Sequence, residues 1–265
     1  TAYTPYQAEC AQGTLQAIYE YQTAICRLTD MEFANASLYD GGTAVFEATT
    51  MAVRITNRRR IQCSPTLNPI YRRLLETHTF NLGLQIQTGV DPVGAACVIV
   101  QNPSFRGTVS DYTDLAQRCH EAGALLVVVF NPVSLGLLKT PGEMGADIAV
   151  AEGQSLGIPL SFGGPYLGIL ATKREYVRKM PGRLAAATVD HKGLRGFVLT
   201  LQAREQHIRR EKAMSNICSN EALCALRALI YLCLLGPQGL KEVAHQCYAK
   251  TEYLKRLLPA EWLAD

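Results

Sequence analysis

The chain has 265 residues, of which 48% are hydrophobic and 18% charged, and its net charge at pH 7 is +3. This length is enough for one large domain with a buried core, and so small a charge favours neither nucleic acid nor an acidic membrane surface as a partner. The sequence shows no signal peptide and no approach to the ~20 apolar residues of a membrane span, so we expect no membrane partner. Because it lacks an initiator methionine, we expect a piece of a longer protein.

The nine cysteines and five histidines are scattered along the chain, without CxxC pairs or close histidine spacing. This pattern predicts neither a disulfide framework nor a metal site. Reduced thiols that act as small hydrophobic side chains fit it better, and they predict a cytoplasmic protein.

Helical and strand-like segments alternate along the first two thirds of the chain. Helices are predicted at residues 11–28, 43–56, 68–79 and 111–122. Strands are predicted at residues 61–64, 82–87, 97–101, 125–130, 148–151 and 166–172. Continuous aliphatic strands that alternate with helices predict an α/β fold with a mainly parallel sheet covered on both faces.

The last part of the chain is predicted to be helical. Residues 221–235 are apolar nearly all round, which predicts a buried helix, and Gly236-Pro237 should end it. Residues 239–258 then carry an amphipathic stripe that we expect to face the domain. No linker or internal repeat divides the sequence, so we predict a single domain over residues 1–265.

Three blocks of sequence resemble a known family. The blocks are residues 3–9 (YTPYQAE) with Gln12-Gly13 and Tyr21-Gln22-Thr23, residues 34–44 (ANASLYDGGTA), and residues 199–213 (LTLQAREQHIRREKA) with 215–218 (SNIC). In this order, and over nearly the whole chain, they closely resemble the P protein of the glycine cleavage system. Residues 153–157 (GQSLG) and 180–183 (MPGR) resemble its subunit 1, the α-type chain of two-subunit members.

The resemblance implies a fold-type-I pyridoxal-phosphate transferase domain with a mostly parallel seven-stranded sheet between helices. It implies membership of glycine dehydrogenase (decarboxylating), which decarboxylates glycine and passes the aminomethyl group to the lipoyl group of H protein. The Schiff-base lysine and pyridoxal phosphate belong to subunit 2, the partner, so this chain is expected to bind no cofactor covalently and to be inactive alone. Family members begin earlier, carry a longer connection in place of residues 85–96 and end in a small domain, so only the large domain is expected here.

The resemblance also indicates which catalytic groups are missing. Catalytic relatives place their Schiff-base lysine in the turn that follows the 148–151 strand, where this chain has Gln154 and Ser155. Neither side chain forms an imine with an aldehyde. Asn131 stands where those relatives have an aspartate that pairs with the pyridine nitrogen, although it is equally compatible with a residue that merely ends a strand.

The turn before the second helix is the expected phosphate position. Free N–H groups at a helix start favour an anion, and in catalytic relatives this turn receives the cofactor phosphate. We predict a vestigial, empty pocket, and its residues are Asp40, Gly41, Gly42, Thr43 and Asn131.

A basic stretch follows the last predicted strand and is itself predicted to be helical. Either it is a solvated face with internal pairing to Glu205 and Glu211, or it lies at the subunit interface, with Arg204 or Arg210 binding a carboxylate or phosphate. The candidate interface residues are Tyr3, Thr4, Tyr6, Arg204, His207, Arg209, Arg210, Ser215 and Asn216.

Three functions remain open from the sequence. The first is a lysine-free subunit of glycine decarboxylase. The second is a structural or interaction domain, a truncated relative with no catalytic role. The third is a self-sufficient pyridoxal-phosphate enzyme that uses a displaced lysine, with Lys139 as the first candidate, since Lys173 is expected to open a surface helix. A nicotinamide-binding fold is weaker still, because no GxGxxG follows the first strand.

Overall fold

The computed structural model describes residues 5–263, so the candidate interface residues Tyr3 and Thr4 lie outside the described part of the chain. The helices are α1 (Gln12–Thr29), α2 (Gly41–Thr56), α3 (Pro69–Thr79), α4 (Thr113–Glu121), α5 (Gln206–Arg209) and α6 (Ala222–Leu257). The strands are β1 (Phe33–Ala34), β2 (Arg60–Cys63), β3 (Gln85–Thr88), β4 (Ala95–Asn102), β5 (Leu125–Phe130), β6 (Ile148–Glu152), β7 (Gly168–Thr172), β8 (Leu184–Val189) and β9 (Arg195–Thr200).

Seven strands form one sheet in the order β1-β7-β6-β5-β4-β2-β3. The pairings among β2 to β6 are parallel, and β7 runs antiparallel to both of its neighbours. The predicted mostly parallel seven-stranded sheet is therefore confirmed. Every strand predicted from the sequence is present within a few residues of its expected bounds, whereas β1 and the separate hairpin β8–β9 were not predicted.

Helices cover the sheet on both faces, which explains why its central strands are apolar throughout. Val127 and Val129 of β5 pack in the same cluster as the buried side of α2. Leu126 and Val128, which alternate with them, pack with α4 on the other face. Farther along that second face, α1 and the first half of α6 cover β6 and β7. A strand buried on both faces needs no polar alternation.

Helix α1 also holds the hairpin β8–β9 against the domain, through two side-chain amides. The Gln22 amide donates to Ala185 O and accepts from Ala185 N, at 3.0 and 2.9 Å. Gln12 makes the same pair of bonds with Phe197, both at 2.8 Å. Each glutamine side chain thus bonds the backbone of one hairpin residue in the way that a neighbouring strand would. These contacts give a structural role to Gln12 and Gln22 of the family-like amino-terminal block.

The carboxyl-terminal helix departs from its prediction in burial. As expected, it is broken at Gly236, whose φ of 61° and ψ of −176° interrupt two helical halves before Pro237. The expectation of a buried first half is wrong, because Leu223 and Leu234 are 67% and 82% exposed. The expected stripe of the second half is also only partly buried: Leu240 and Ala244 are buried, but Leu254 is exposed. The sequence pattern did not reveal how little of α6 the domain covers.

Helix α6 is also long and apolar enough to cross a membrane, by length and composition only. The expectation that no segment approaches such a span is therefore wrong in that respect. The conformation at Gly236 interrupts the helix, and its first half packs against α1 in a buried cluster. These contacts are those of a helix that belongs to the domain, so the absence of a membrane partner stays a prediction.

Candidate functional site

The candidate site lies where the carboxyl ends of β5 and β6 meet the start of α2. In open parallel sheets, ligands bind outside the carboxyl ends of the strands. Asn131 follows β5, Gln154 and Ser155 follow β6, and Glu152 is the last residue of β6. The start of α2 is joined to this edge, since Gly41 N donates to Glu152 Oε2 at 2.8 Å.

Protein carboxylates already occupy the amino end of α2. Asp40 is the N-cap, and its side chain accepts from Thr43 N and Thr43 Oγ1, both at 2.7 Å. Glu152 takes the Gly41 N–H. There is no spare room at the turn, since a Cβ added to Gly41 would lie 2.6 Å from the Tyr71 hydroxyl and 2.9 Å from Glu152 Cβ. Two of the N–H groups that would bind a phosphate are thus satisfied internally.

Glu152 is the centre of this arrangement. In addition to Gly41 N, its carboxylate accepts from Gln154 N and Leu167 N, at 3.0 and 2.9 Å. Burial raises the pKa of Glu152, and so does the neighbouring Asp40 carboxylate, while the three backbone N–H groups lower it. The same two carboxylates, together with burial as the main cause, raise the pKa of Tyr71 to about 12. The turn after β6 is therefore fixed by a carboxylate that points at the helix start.

The residues at this edge do not fit pyridoxal phosphate. The position of the expected aldehyde-binding amine holds Gln154 and Ser155. A phosphate at the start of α2 would have to displace Glu152 from Gly41 N and would lie beside two carboxylates, which repel it. The vestigial pocket stays a prediction, for which this geometry supplies a physical reason that the sequence reasoning lacked.

Asn131 and Ser155 line one cavity of about 680 Å³ at this edge. Asn131 Oδ1 accepts from Val133 N at 3.0 Å and thereby begins the 3-10 turn Val133–Gly136. This bond is the strand-ending role that the sequence left as an alternative. The Gln154 amide nitrogen is buried without a hydrogen-bond partner. The other predicted pocket residues, Asp40 to Thr43, do not line this cavity.

The two lysines considered as replacements are held elsewhere. Lys139 Nζ binds Asp111 Oδ2 at 3.0 Å and Thr113 Oγ1 at 2.7 Å, next to the start of α4. Lys173 Nζ pairs with the buried carboxylate of Asp147, which immediately precedes β6. Asp147 thus lies at the opposite end of that strand from Gln154. Neither ammonium group is in contact with the turn after β6.

The basic stretch is not one helix, contrary to its prediction. It consists of the 3-10 turn Gln202–Arg204, the four-residue α5 and a second 3-10 turn, Arg210–Lys212. Leu201 and Arg210 have positive φ, which breaks the helical path. The predicted pairing of Glu205 at helical spacing is also wrong, because its carboxylate contacts Arg183 and His207.

The described interface candidates differ in their surroundings, and their place at an interface stays a prediction. The Arg204 guanidinium faces inward and donates to Leu201 O and Gly182 O, at 3.0 and 2.8 Å. Ser215 is directed to the interior, where its side chain hydrogen-bonds the buried Glu47. Tyr6 and His207 line a cavity around Arg183. The remaining candidates, Arg209, Arg210 and Asn216, are exposed.

Sequence reasoning missed Glu152, which is half-buried, and Arg183, which is buried. Glu152 directly precedes the GQSLG block and Arg183 ends the MPGR block, so both residues lie beside or within motifs that the sequence analysis noted. Only their contacts with distant residues, Gly41 and Glu205, distinguish them from ordinary surface charges. Among residues 5–263, no group of three or more His, Cys, Asp or Glu side chains is arranged to hold a metal ion.

Comparisons with known proteins agree with this geometry. The chain has the fold of the fold-type-I pyridoxal-phosphate-dependent transferases. An aspartate aminotransferase from Thermus thermophilus superposes with a TM-score of 0.61 at 16% identity, over 91% of this chain and 67% of that one, which shows the fold alone. A glycine decarboxylase (P-protein) of the glycine cleavage system, in inhibitor-bound form, superposes with a TM-score of 0.88 at 49% identity, over 94% of this chain and 61% of that one.

The family follows from the sequence comparisons. The family model for the glycine cleavage system P-protein matches residues 1–263. The "Probable glycine dehydrogenase (decarboxylating) subunit 1" of Maridesulfovibrio salexigens is 57% identical over 98% of this chain and 62% of its own length. The protein of the same name from Citrifermentans bemidjiense is 53% identical over 97% of this chain and 61% of its own. The chain belongs to the glycine cleavage system P-protein family, and it spans about three fifths of the length of these curated relatives.

Proposed function

We propose that this chain is the lysine-free subunit of a two-subunit glycine decarboxylase. It pairs with subunit 2, which holds pyridoxal phosphate, and the complex decarboxylates glycine and transfers the aminomethyl group to the lipoyl group of H protein. The cofactor, when bound in the partner, supplies the electron sink for loss of carbon dioxide. This chain supplies shape and contacts and carries no reacting amine. Its nine free thiols favour a cytoplasmic complex.

The observation that carries the proposal is the contact between Glu152 and Gly41 at the start of α2. A subunit that bound the cofactor at this edge would need those N–H groups for the phosphate. Here they are satisfied by carboxylates, and Gln154 and Ser155 replace the amine. Together with the family, this arrangement supports a role that depends on a partner.

Reduction with borohydride tests the lysine-free role. We expect no internal-aldimine absorbance when pyridoxal phosphate is added to the isolated chain, and no single lysine that is trapped stoichiometrically after reduction. The lysine-bearing subunit 2, treated in parallel, is the positive control. Peptide mapping should examine Lys139 and Lys173 first, and a stoichiometric adduct on either would favour a self-sufficient enzyme over a lysine-free subunit.

An isotope-exchange assay tests the catalytic partnership. The full-length relative of this chain is co-expressed with subunit 2, and exchange of the glycine carboxyl carbon with labelled bicarbonate is measured with H protein present. We expect co-purification, and exchange only when both subunits are present. If the two subunits neither co-purify nor support exchange, the structural or interaction domain becomes the better assignment.

A further inference from the structure

Two buried side chains of opposite charge face each other away from the edge of β6. Arg183 lies just before β8 and Glu205 just before α5, and the two residues are 5% and 7% exposed. Arg183 Nε lies 3.6 Å from Glu205 Oε2. Arg183 Nη2 also donates to Cys218 O, at 3.2 Å.

The pair leaves hydrogen-bonding capacity unused on both partners. Arg183 Nε and Nη1 are buried without a hydrogen-bond partner, and so is Glu205 Oε1. Buried polar atoms of charged groups rarely stay unpaired, because the loss of their hydration is then uncompensated. Arg54 and Glu47 also have unpaired atoms, but the Arg183–Glu205 pair is the one that lines the cavity described next.

Arg183 and Glu205 line a cavity of about 480 Å³ that opens to solvent. Its apolar wall includes Leu199 and Ile217. The Tyr6 ring lies 5.6 Å from the Arg183 guanidinium carbon, a cation–π distance. His207, exposed at the same cavity, lies 3.7 Å from Glu205 Oε2. The cavity therefore presents one cationic and one anionic group side by side.

We propose that this cavity binds an α-amino acid as a zwitterion, with its carboxylate at Arg183 Nη1 and its ammonium group at Glu205 Oε1. An anion alone would bring a second carboxylate next to Glu205, and an amine alone would bring a second cation next to Arg183. Of these three classes of ligand, the zwitterion is the one that satisfies both unpaired sets of atoms without adding a like charge. That the amino acid is glycine rests on the proposed function.

Titration of the chain with glycine, acetate and methylamine tests the arrangement. We expect saturable glycine binding by calorimetry, with a dissociation constant below about 10 mM. Glu205→Gln preserves the volume of the side chain. It should weaken the binding of glycine by at least about tenfold without weakening the binding of acetate. Arg183→Lys should weaken the binding of glycine and of acetate alike. Arg195→Gln, which removes an exposed guanidinium stacked on Phe197, is the control and should leave glycine affinity unchanged.

The outcomes separate this site from the proposed function. If the wild-type chain does not bind glycine saturably, or if Glu205→Gln binds it as tightly, the zwitterion site is overturned, even when the complex with subunit 2 still exchanges the glycine carboxyl carbon. If glycine binds with the expected variant pattern but no exchange occurs with subunit 2, the site stands and the glycine decarboxylase assignment fails. If Arg183→Lys does not fold, the Glu205→Gln comparison alone decides.

Discussion

The carboxylate of Glu152 makes the start of α2 an internal contact instead of an anion site. Its three N–H partners belong to Gly41, Gln154 and Leu167. One side chain therefore contacts the start of α2, the turn after β6 and the residue that precedes β7. A hydrogen bond to a charged group contributes about 1.5–3 kcal/mol net. The loss of this residue should therefore affect both stability and anion affinity.

We predict that Glu152→Ala lowers the free energy of unfolding by roughly 2–5 kcal/mol, because three partly buried N–H groups lose their acceptor. It should also permit weak phosphate binding at Gly41, since Gly41 N then loses its internal acceptor while Asp40 still caps Thr43 N. Thermal denaturation is measured in phosphate and in chloride at equal ionic strength, with the exposed Glu121→Ala as the control. Equal stabilisation of the wild type by phosphate would show that Glu152 does not block the site.

A second buried carboxylate, Glu47 of α2, should give the protein a pH-dependent stability. Burial raises its pKa from 4.5 to about 7, against the opposing effects of the Ser215 hydrogen bond and the Arg54 charge. A folded-state pKa above the unfolded value means that the folded chain binds the proton more tightly. Its contribution to stability is therefore complete below pH 4.5 and is lost as the pH rises through 7.

We predict that the difference in unfolding free energy between the wild type and Glu47→Gln changes by up to about 3 kcal/mol between pH 4.5 and 8. The wild type should lose stability relative to the variant as the pH rises, because the buried Glu47 ionises whereas the glutamine of the variant does not titrate. Urea denaturation at several pH values measures the difference, and Glu121→Gln is the control. A difference that does not vary with pH would mean that folding does not raise the pKa of Glu47.

At the scale of elements, the join between α1 and the hairpin β8–β9 depends on side-chain amides. Gln22 is buried and bonds both backbone groups of Ala185, so no apolar side chain of equal length replaces it. We predict that Gln22→Met costs about 2–4 kcal/mol, because it leaves one N–H and one C=O buried and unpaired.

Urea denaturation gives that cost, and hydrogen exchange at Ala185 shows whether the hairpin loosens first. Gln16→Met, on the exposed side of α1, is the matched control and should change the stability little. If Gln22→Met were as stable as this control, the amide pairing would not be what holds β8–β9 in place.

The elements also show how far the sequence could be interpreted. Strands such as β5 were predictable because an apolar run between two helices has few other uses in an α/β domain. The hairpin β8–β9 was missed because three residues of β8 and two of β9 are exposed and because its partner is a helix with amide side chains. Burial of α6 was overestimated, since an apolar helix face does not reveal whether the same chain covers it.

Of the candidate site, the sequence could predict only which catalytic group is missing. The lack of an amine at Gln154 and Ser155 is a property of single residues and is visible in the sequence. The Glu152–Gly41 bond joins residues 111 positions apart, and the Arg183–Glu205 pair depends on two turns that the sequence represented as one helix. Such contacts are set by tertiary packing, and local patterns do not encode them.

At the scale of the whole molecule, the thiols form two groups that differ in accessibility. Cys10, Cys218, Cys233 and Cys247 are exposed, and all nine cysteines are free. The other five have raised pKa values, with burial as the largest cause: about 11 for Cys26 and Cys63, about 12 for Cys119, and higher than usual for Cys97 and Cys224. Since the thiolate is the reacting species, these five should be protected chemically as well as sterically.

We predict that Ellman's reagent modifies about four thiols quickly in the folded chain, and the remaining five only as the protein unfolds. Denaturant without reductant should release all nine, because no pair is joined by a disulfide. A rapid reaction of more than four would mean that the domain opens locally around one of the elements that carry the other five thiols. The same measurement with subunit 2 added should show which of these thiols the partner covers, because covered thiols should react slowly. Cys10 precedes α1, Cys218 precedes α6, and Cys233 and Cys247 lie in the two halves of α6.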